Sequence, residues 1–311
     1  MLGRFLVLIL VVMPAIVASI QLQAAPRVVA TIPPIHSLAA MVMEGQGFPQ
    51  LLLSGGETPH SYSLRPSQSR MLADAHIVIR VGDGLEGFLK KPLRALAGRA
   101  TVIELDHVAG ITTYRNRADG HDHGHKHGHD GHHDDGRGID PHLWLSSANA
   151  IVIVGEIARV LSAADPEYTP VYTGNAARAS IRLRALRMEI DRMVAPIRLR
   201  PYFVFHDAWQ YFEKEYGLRG GGAIAVSPEQ KPGARRLVEI RTRIRATGAR
   251  CVFAEPQFPP ALVKTVIRGT AAKLSTLDPL GIGLTQGSEL YSDLIRNMAK
   301  GIVSCLNTAS R

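Results

Sequence analysis

Cysteine is nearly absent from this chain of 311 residues, which holds only Cys251 and Cys305. Two cysteines in one stretch of an exported chain read as a disulfide rather than as catalytic thiols, fastening the last helix to a core strand. In the chain-entropy model, closing that loop is worth about 4 kcal/mol. Aromatic residues are also scarce, at 6%. No aromatic-basic module accompanies the net charge of +9, which argues against nucleic-acid binding. Arg178, Arg182, Arg184 and Arg187 instead avoid the apolar stripe of their helix and read as a solvated face. The chain lacks a phosphate-cradling G-x-x-x-x-G-K-[ST] loop, so any ATP-driven step belongs to a partner. It also lacks the compact zinc motif H-E-x-x-H.

What is present is globular composition, 46% hydrophobic and 20% charged, at a length that suits two domains. Arg4 followed by the apolar run 5–12 and small residues before Pro26 reads as an export signal over 1–25, cut near Ala25. Pro14 interrupts the run, which is short for a membrane anchor. No cysteine follows it to carry a lipid, and a soluble protein of an oxidising compartment is the simplest result.

The chain is organised around 165–197. Tyr168, Tyr172, Ala176, Ala179, Leu183, Leu186, Ile190, Met193 and Ile197 follow spacings of three and four, the stripe of a helix with one buried side. Asp165 is the expected cap and Pro196 the expected stop, while Pro170 and Gly174 weaken the first turns and place the regular part nearer Asn175. A helix of about thirty residues spans about 45 Å, which suits a connector between lobes better than one wall of a single core. On either side, apolar runs alternate with helical patterns. Before it, strands are expected at 28–32, 50–53, 75–81 and 101–105, with helices at 35–44, 66–73, 85–96 and 146–163. After it, strands are expected at 202–205, 218–223, 251–254 and 273–277, with helices at 208–216, 234–246, 260–271 and 290–306. The fold class is therefore α/β: an N-terminal lobe over 26–164 and a C-terminal lobe over 198–311, each with a parallel sheet, flanking one long rigid helix and a cleft.

Seven of the thirteen histidines crowd into 119–135, namely His121, His123, His125, His127, His129, His132 and His133, interleaved with aspartates. Glycine and charge deny this segment a core, and it reads as a loop. Imidazoles beside carboxylates suit divalent metals such as zinc, although a hydrophilic spacer has the same composition. Of the other six, His60, His142 and His206 stand where strands or tight turns end. His36, His76 and His107 are assigned structural or surface roles. The separations of 82 and 64 residues within the first three match no compact zinc motif, so spacing alone gives only a weak reading.

Five motifs stand in order: Pro59-His-Ser-Tyr-Ser-Leu-Arg-Pro66, Asp140-Pro-His-Leu-Trp-Leu-Ser146, Phe205-His-Asp-Ala-Trp-Gln-Tyr-Phe-Glu213, Ala254-Glu-Pro-Gln-Phe258 and Leu277-Asp-Pro-Leu-Gly281. Together they resemble the zinc receptors within the metal-specific solute-binding proteins of bacterial ABC importers, from about Val28 onward. The resemblance implies two α/β lobes with metal between them, His60, His142 and His206 as zinc ligands, and partnership with a membrane permease and its cytoplasmic ATPase. The manganese and iron branch is similar at the first two positions but has glutamate at the third, so His206 favours zinc. The alternatives are a manganese or iron receptor of this fold and, from another class, a zinc hydrolase using an open three-histidine site. For the fourth ligand, some relatives have glutamate where this chain has Pro59, which leaves water or Asp278 ahead of Glu57. The resemblance also implies that the histidine-rich loop gathers extra zinc.

Overall fold

The computed structural model describes residues 25–54, 56–117, 138–225 and 232–308. The expected export signal, save Ala25, and all seven clustered histidines lie outside these residues.

Two four-stranded parallel sheets repeat one topology. The first has the order β2-β1-β3-β4, built from β1 (Val28–Ala30), β2 (Gln50–Leu51), β3 (Ile77–Arg80) and β4 (Thr101–Glu104). The second has the order β6-β5-β7-β8, from β5 (Tyr202–His206), β6 (Gly220–Ala225), β7 (Cys251–Ala254) and β8 (Lys273–Thr276). The central strands are short and fully buried, and apolar but for Arg80 at the end of β3, as parallel strands covered on both faces must be. In each sheet the connections run first to one side and then to the other, so a crevice opens at the carboxyl ends between β1 and β3, and between β5 and β7. Gly221 in β6 is required by close approach, because a Cβ there would lie 2.6 Å from the Phe203 ring.

Helices fill the connections: α1 (Pro33–Val42), α2 (Pro66–Asp74), α3 (Asp83–Glu86), α4 (Lys90–Leu96), α5 (Ser147–Ala164), α6 (Thr169–Val194), α7 (Gln210–Tyr216), α8 (Ala234–Thr247), α9 (Ala261–Ile267) and α10 (Leu290–Thr308). The helix expected over 85–96 is broken into α3, a 3-10 turn (Gly87–Leu89) and α4. Pro92 has no N–H for an interior turn, so α4 must begin just before it. Ser146 caps α5, accepting from the Asn149 N–H at 3.1 Å.

The long helix α6 buries the expected stripe, with Tyr172, Ala176, Ala179, Leu183, Leu186 and Ile190 all inside. Each large aliphatic side chain among them contributes about 1.5–3 kcal/mol. α6 packs on α5, α10 and α1 and therefore touches helices on both sides of itself. Two details correct the reading of its start. Asp165 does not cap α6; it closes α5, and its carboxylate accepts from the Tyr172 hydroxyl at 2.8 Å. A 3-10 turn (Pro166–Tyr168) intervenes, and α6 is regular from Thr169 rather than from Asn175. Pro170 is harmless there because first-turn N–H groups have no intrahelical partner. Buried Asn175 is a polar tie that the stripe could not reveal, donating to the Val42 and Glu44 carbonyls, each at 2.8 Å.

One apolar core joins the α1, α5, α6 and α10 layer to one face of both sheets, while α8 and α9 cover the other face of the second sheet. Cys251 in β7 and Cys305 in α10 form the disulfide, fastening the last helix to a central strand.

Candidate metal centre

Two loops and the end of one strand carry the candidate ligands. His60 lies between β2 and α2, where its N–H donates to the Thr58 hydroxyl at 3.3 Å and its side chain stays partly exposed. His142 follows Asp140-Pro141 and opens a 3-10 turn (Leu143–Leu145), with its N–H and its Nδ1 both donating to Asp140 Oδ1, at 3.0 and 2.8 Å. His206 is the last residue of β5, and its Nδ1 donates to Glu255 Oε1 at 2.6 Å across the switch point between β5 and β7. One ring nitrogen from each histidine falls within 4.8 Å of the other two. The ring centroids are 5.1–5.7 Å apart. They line a cavity of about 500 Å³ with Asp106, Asn116, Gly138, Ile139 and Asp207 among its walls.

Carboxylates on Nδ1 determine the tautomers. An ionised carboxylate only accepts, so Nδ1 of His142 and of His206 carries the proton and Nε2 carries a lone pair. Those two Nε2 atoms are 3.2 Å apart. Two lone pairs at that separation repel, and a cation between them relieves the repulsion. Asp140 and Glu255 also set two negative charges one shell behind a dipositive ion. Asp140 is itself held, because its Oδ2 accepts from Gln210 Nε2 at 3.0 Å and its carbonyl from the Tyr211 hydroxyl at 2.7 Å.

Proton affinities separate the rings. Burial, and then the neighbouring His142 and His206, push His60 down to about 2, so it stays a neutral donor. Burial also penalises charge on His206, but Glu255 outweighs it and raises the imidazole above its ordinary value. Burial alone would raise Asp140, yet the hydrogen bonds from His142 hold it below the usual carboxylate range.

The other candidates lie elsewhere. Asp278 does not join the histidine group. Its Oδ1 accepts from the Leu280 N–H at 2.9 Å and from Gln257 Nε2 at 3.2 Å, and its Oδ2 from the Ile282 N–H, so its carboxylate organises its own turn. Glu57 turns to Arg65, 3.1 Å away. His36 is buried and donates from Nε2 to the Pro49 carbonyl, and His76 Nδ1 accepts from the Arg27 N–H. His107 stands with Glu104 and Asp106 in a second, more exposed acidic group. Residues flanking the histidine-rich segment meet at the cavity: Arg115 bridges Ile139, and the Asn116 N–H donates to the Gly138 carbonyl at 2.9 Å.

Sequence reasoning assigned no role to Asp140, Glu255 or Asp207, although all three stood in the quoted motifs. Asp140 was accessible, since an aspartate two residues before a histidine across a proline turn can reach its Nδ1. Glu255 is 49 residues from His206 and becomes a neighbour only through strand order. Asp207, beside His206 in the wall, pairs with Arg117 at 2.8 Å.

Residues 28–305 match the family described as zinc-uptake complex component A, periplasmic (ZnuA). The high-affinity zinc uptake system protein ZnuA of Brucella suis is 40% identical over 305 residues, covering 90% of this chain and 91% of that one. Its counterpart in Yersinia pestis is 37% identical over 293 residues, covering 91% and 92%. The chain belongs to the periplasmic zinc-uptake component A family. Solved structures share its fold at lower identity. A crystal structure of ZnuA superposes with a TM-score of 0.75 at 24% identity, over 90% of this chain and 99% of that one. The solute-binding protein FpvC of Pseudomonas aeruginosa, in complex with Mn²⁺, gives 0.77 at 22%, over 92% and 100%.

Proposed function

We propose that this protein captures Zn²⁺ in the periplasm through His60, His142 and His206 and delivers it to an ABC-type membrane permease powered by a cytoplasmic ATPase. The observation that carries the reading is the convergence of three imidazoles, two of them aimed by buried carboxylates. Three neutral nitrogens form an open tetrahedral site for zinc at about 2.0–2.1 Å, with water as the fourth ligand. Manganese is better served by more oxygen. Membership in the zinc-uptake family and the curated zinc-uptake relatives support the same choice. The role is transport without catalysis by a monomer, exported by the signal over 1–25. The histidine-rich segment, whose flanks meet at the cavity, holds further ions more weakly because ordering it costs backbone entropy.

Competitive titration of zinc against manganese at buffered free concentrations tests the reading. One tight zinc site, lost in His206→Ala and kept after deletion of 119–135 with fewer ions bound in total, is the expected result. Tighter manganese than zinc would overturn it in favour of a manganese receptor, and hydrolysis that disappears with His206→Ala would revive the enzyme alternative.

A further inference from the structure

The positive charge of the chain is unevenly placed. Residues 232–276 carry nine of its 36 lysines and arginines but only two of its 27 acidic residues. Of those two, Glu239 pairs with Arg235, and Glu255 is buried against His206. This stretch contains α8 and α9, the outer layer of the second sheet, on the side away from α6 and α10.

Elsewhere several arginines meet carboxylates. Arg182 and Arg187 of α6 pair with Glu289 and Glu215, and α6 also offers Asp191 to Arg198 and Glu189 to Arg296, so its cations are interspersed with acids. On the α8–α9 layer three arginines instead hold carbonyls. Arg241 donates to Thr265 and Val266, Arg243 to Gly221, and Arg245 to Gly269, at 2.6–3.2 Å. Carbonyl dipoles fix the guanidinium positions without cancelling their charge. Lys264, Arg268 and Lys273 extend the cationic surface as exposed side chains. Val238 lies among them on α8, 60% exposed. Spread cations with a protruding apolar side chain suit a bilayer interface, where headgroup phosphates meet the charges and the apolar group enters the boundary.

We propose that the α8–α9 face docks on a bilayer surface rich in anionic phospholipid headgroups. Contact there leaves the cavity at the strand ends uncovered, so zinc is captured while the protein stays beside the membrane. The inference rests on the periplasmic zinc reading only for the presence of a membrane nearby.

Cosedimentation of the zinc-loaded full mature chain with vesicles tests it, using about one-third phosphatidylglycerol in phosphatidylcholine against phosphatidylcholine alone. Work at about pH 8 keeps the clustered imidazoles neutral. Binding to the anionic vesicles only, lost between about 20 and 300 mM salt, is expected. The variant R235Q/K264Q/R268Q/K273Q should lose at least about tenfold in bound fraction. Its thermal midpoint and zinc stoichiometry, measured on the same samples, should match the parent. Equal binding by the variant, equal binding to neutral vesicles, or no vesicle binding at low salt overturns the proposal, even if an acidic protein is captured instead. A parent that fails to bind zinc while still binding vesicles would count against the zinc reading alone.

Discussion

His142 and His206 differ from His60 in how they are held, though the three rings meet within one cavity. The first two are buried, with Nδ1 fixed by Asp140 and Glu255 and Nε2 aimed at a shared point. His60 is partly exposed on the β2–α2 connection, and among the described residues its ring has no carboxylate partner. A pair fixed in advance has little left to order when an ion arrives, whereas the third ring must give up freedom to join it. If these rings hold the ion as proposed, two of them form a standing half-site that the third closes, and the third is the first to let go. A receptor that must both bind tightly and release benefits from that inequality.

Unequal alanine variants are the most direct way to break this comparison. Structural four-ligand zinc sites are worth about 10–16 kcal/mol, or about 3 kcal/mol per donor, so losing one donor should weaken binding on the order of a hundredfold or more. His206→Ala and His142→Ala should lie at or above that figure, because each also strands a buried carboxylate. His60→Ala should lose less. Calorimetric titration with a competing chelator reads the difference, and equal losses at all three positions would contradict a prebuilt half-site.

Replacing the braces isolates their share. Glu255→Gln and Asp140→Asn should each lower zinc affinity by about 10–100-fold, the usual cost of removing a carboxylate behind a ligating histidine. Neither removes a ligand, so one zinc per cavity should still bind. His206 is held above its ordinary value and competes for a proton as the solution acidifies, while His60, pushed down to about 2, does not. The sign follows: as pH falls through the raised value, His206 protonates and apparent affinity declines, by up to about tenfold per pH unit. Glu255→Gln removes the main cause of the rise, so the decline should begin at lower pH than in the parent. A titration that is flat from about pH 7 to 5 would exclude histidine ligation.

Much of the frame was legible beforehand because its signals are local. Short apolar runs marked buried parallel strands, and the three-and-four spacing of Tyr172, Ala179, Leu183 and Ile190 marked the buried side of α6. The long-range contacts were not. The expected cap Asp165 binds Tyr172 instead, Asn175 reaches back to α1, and Glu255 becomes adjacent to His206 only because β7 lies beside β5. For the centre, resemblance supplied three histidines that spacing could not join. It also carried Asp278 forward from a motif whose carboxylate accepts from Leu280, Ile282 and Gln257.

Asp278 should produce the smallest effect on zinc and thereby sharpen the contrast. Its carboxylate accepts from the Leu280 and Ile282 N–H groups and from Gln257, and the same turn offers the Pro279 carbonyl to Trp144 Nε1 at 2.9 Å. Asp278→Asn keeps the shape but loses one acceptor, which costs about 1 kcal/mol and lowers the thermal midpoint by about 2–4 °C. Affinity should stay within about threefold, because the turn touches the site indirectly, through the Trp144 ring whose centroid lies 5.3 Å from that of His142. The two readouts separate the possibilities: a midpoint shift with steady affinity fits a turn-organising residue. A loss comparable to His60→Ala with an unchanged midpoint would mean that this carboxylate swings in to serve as a ligand, and the third ring would then have a partner in closing the site.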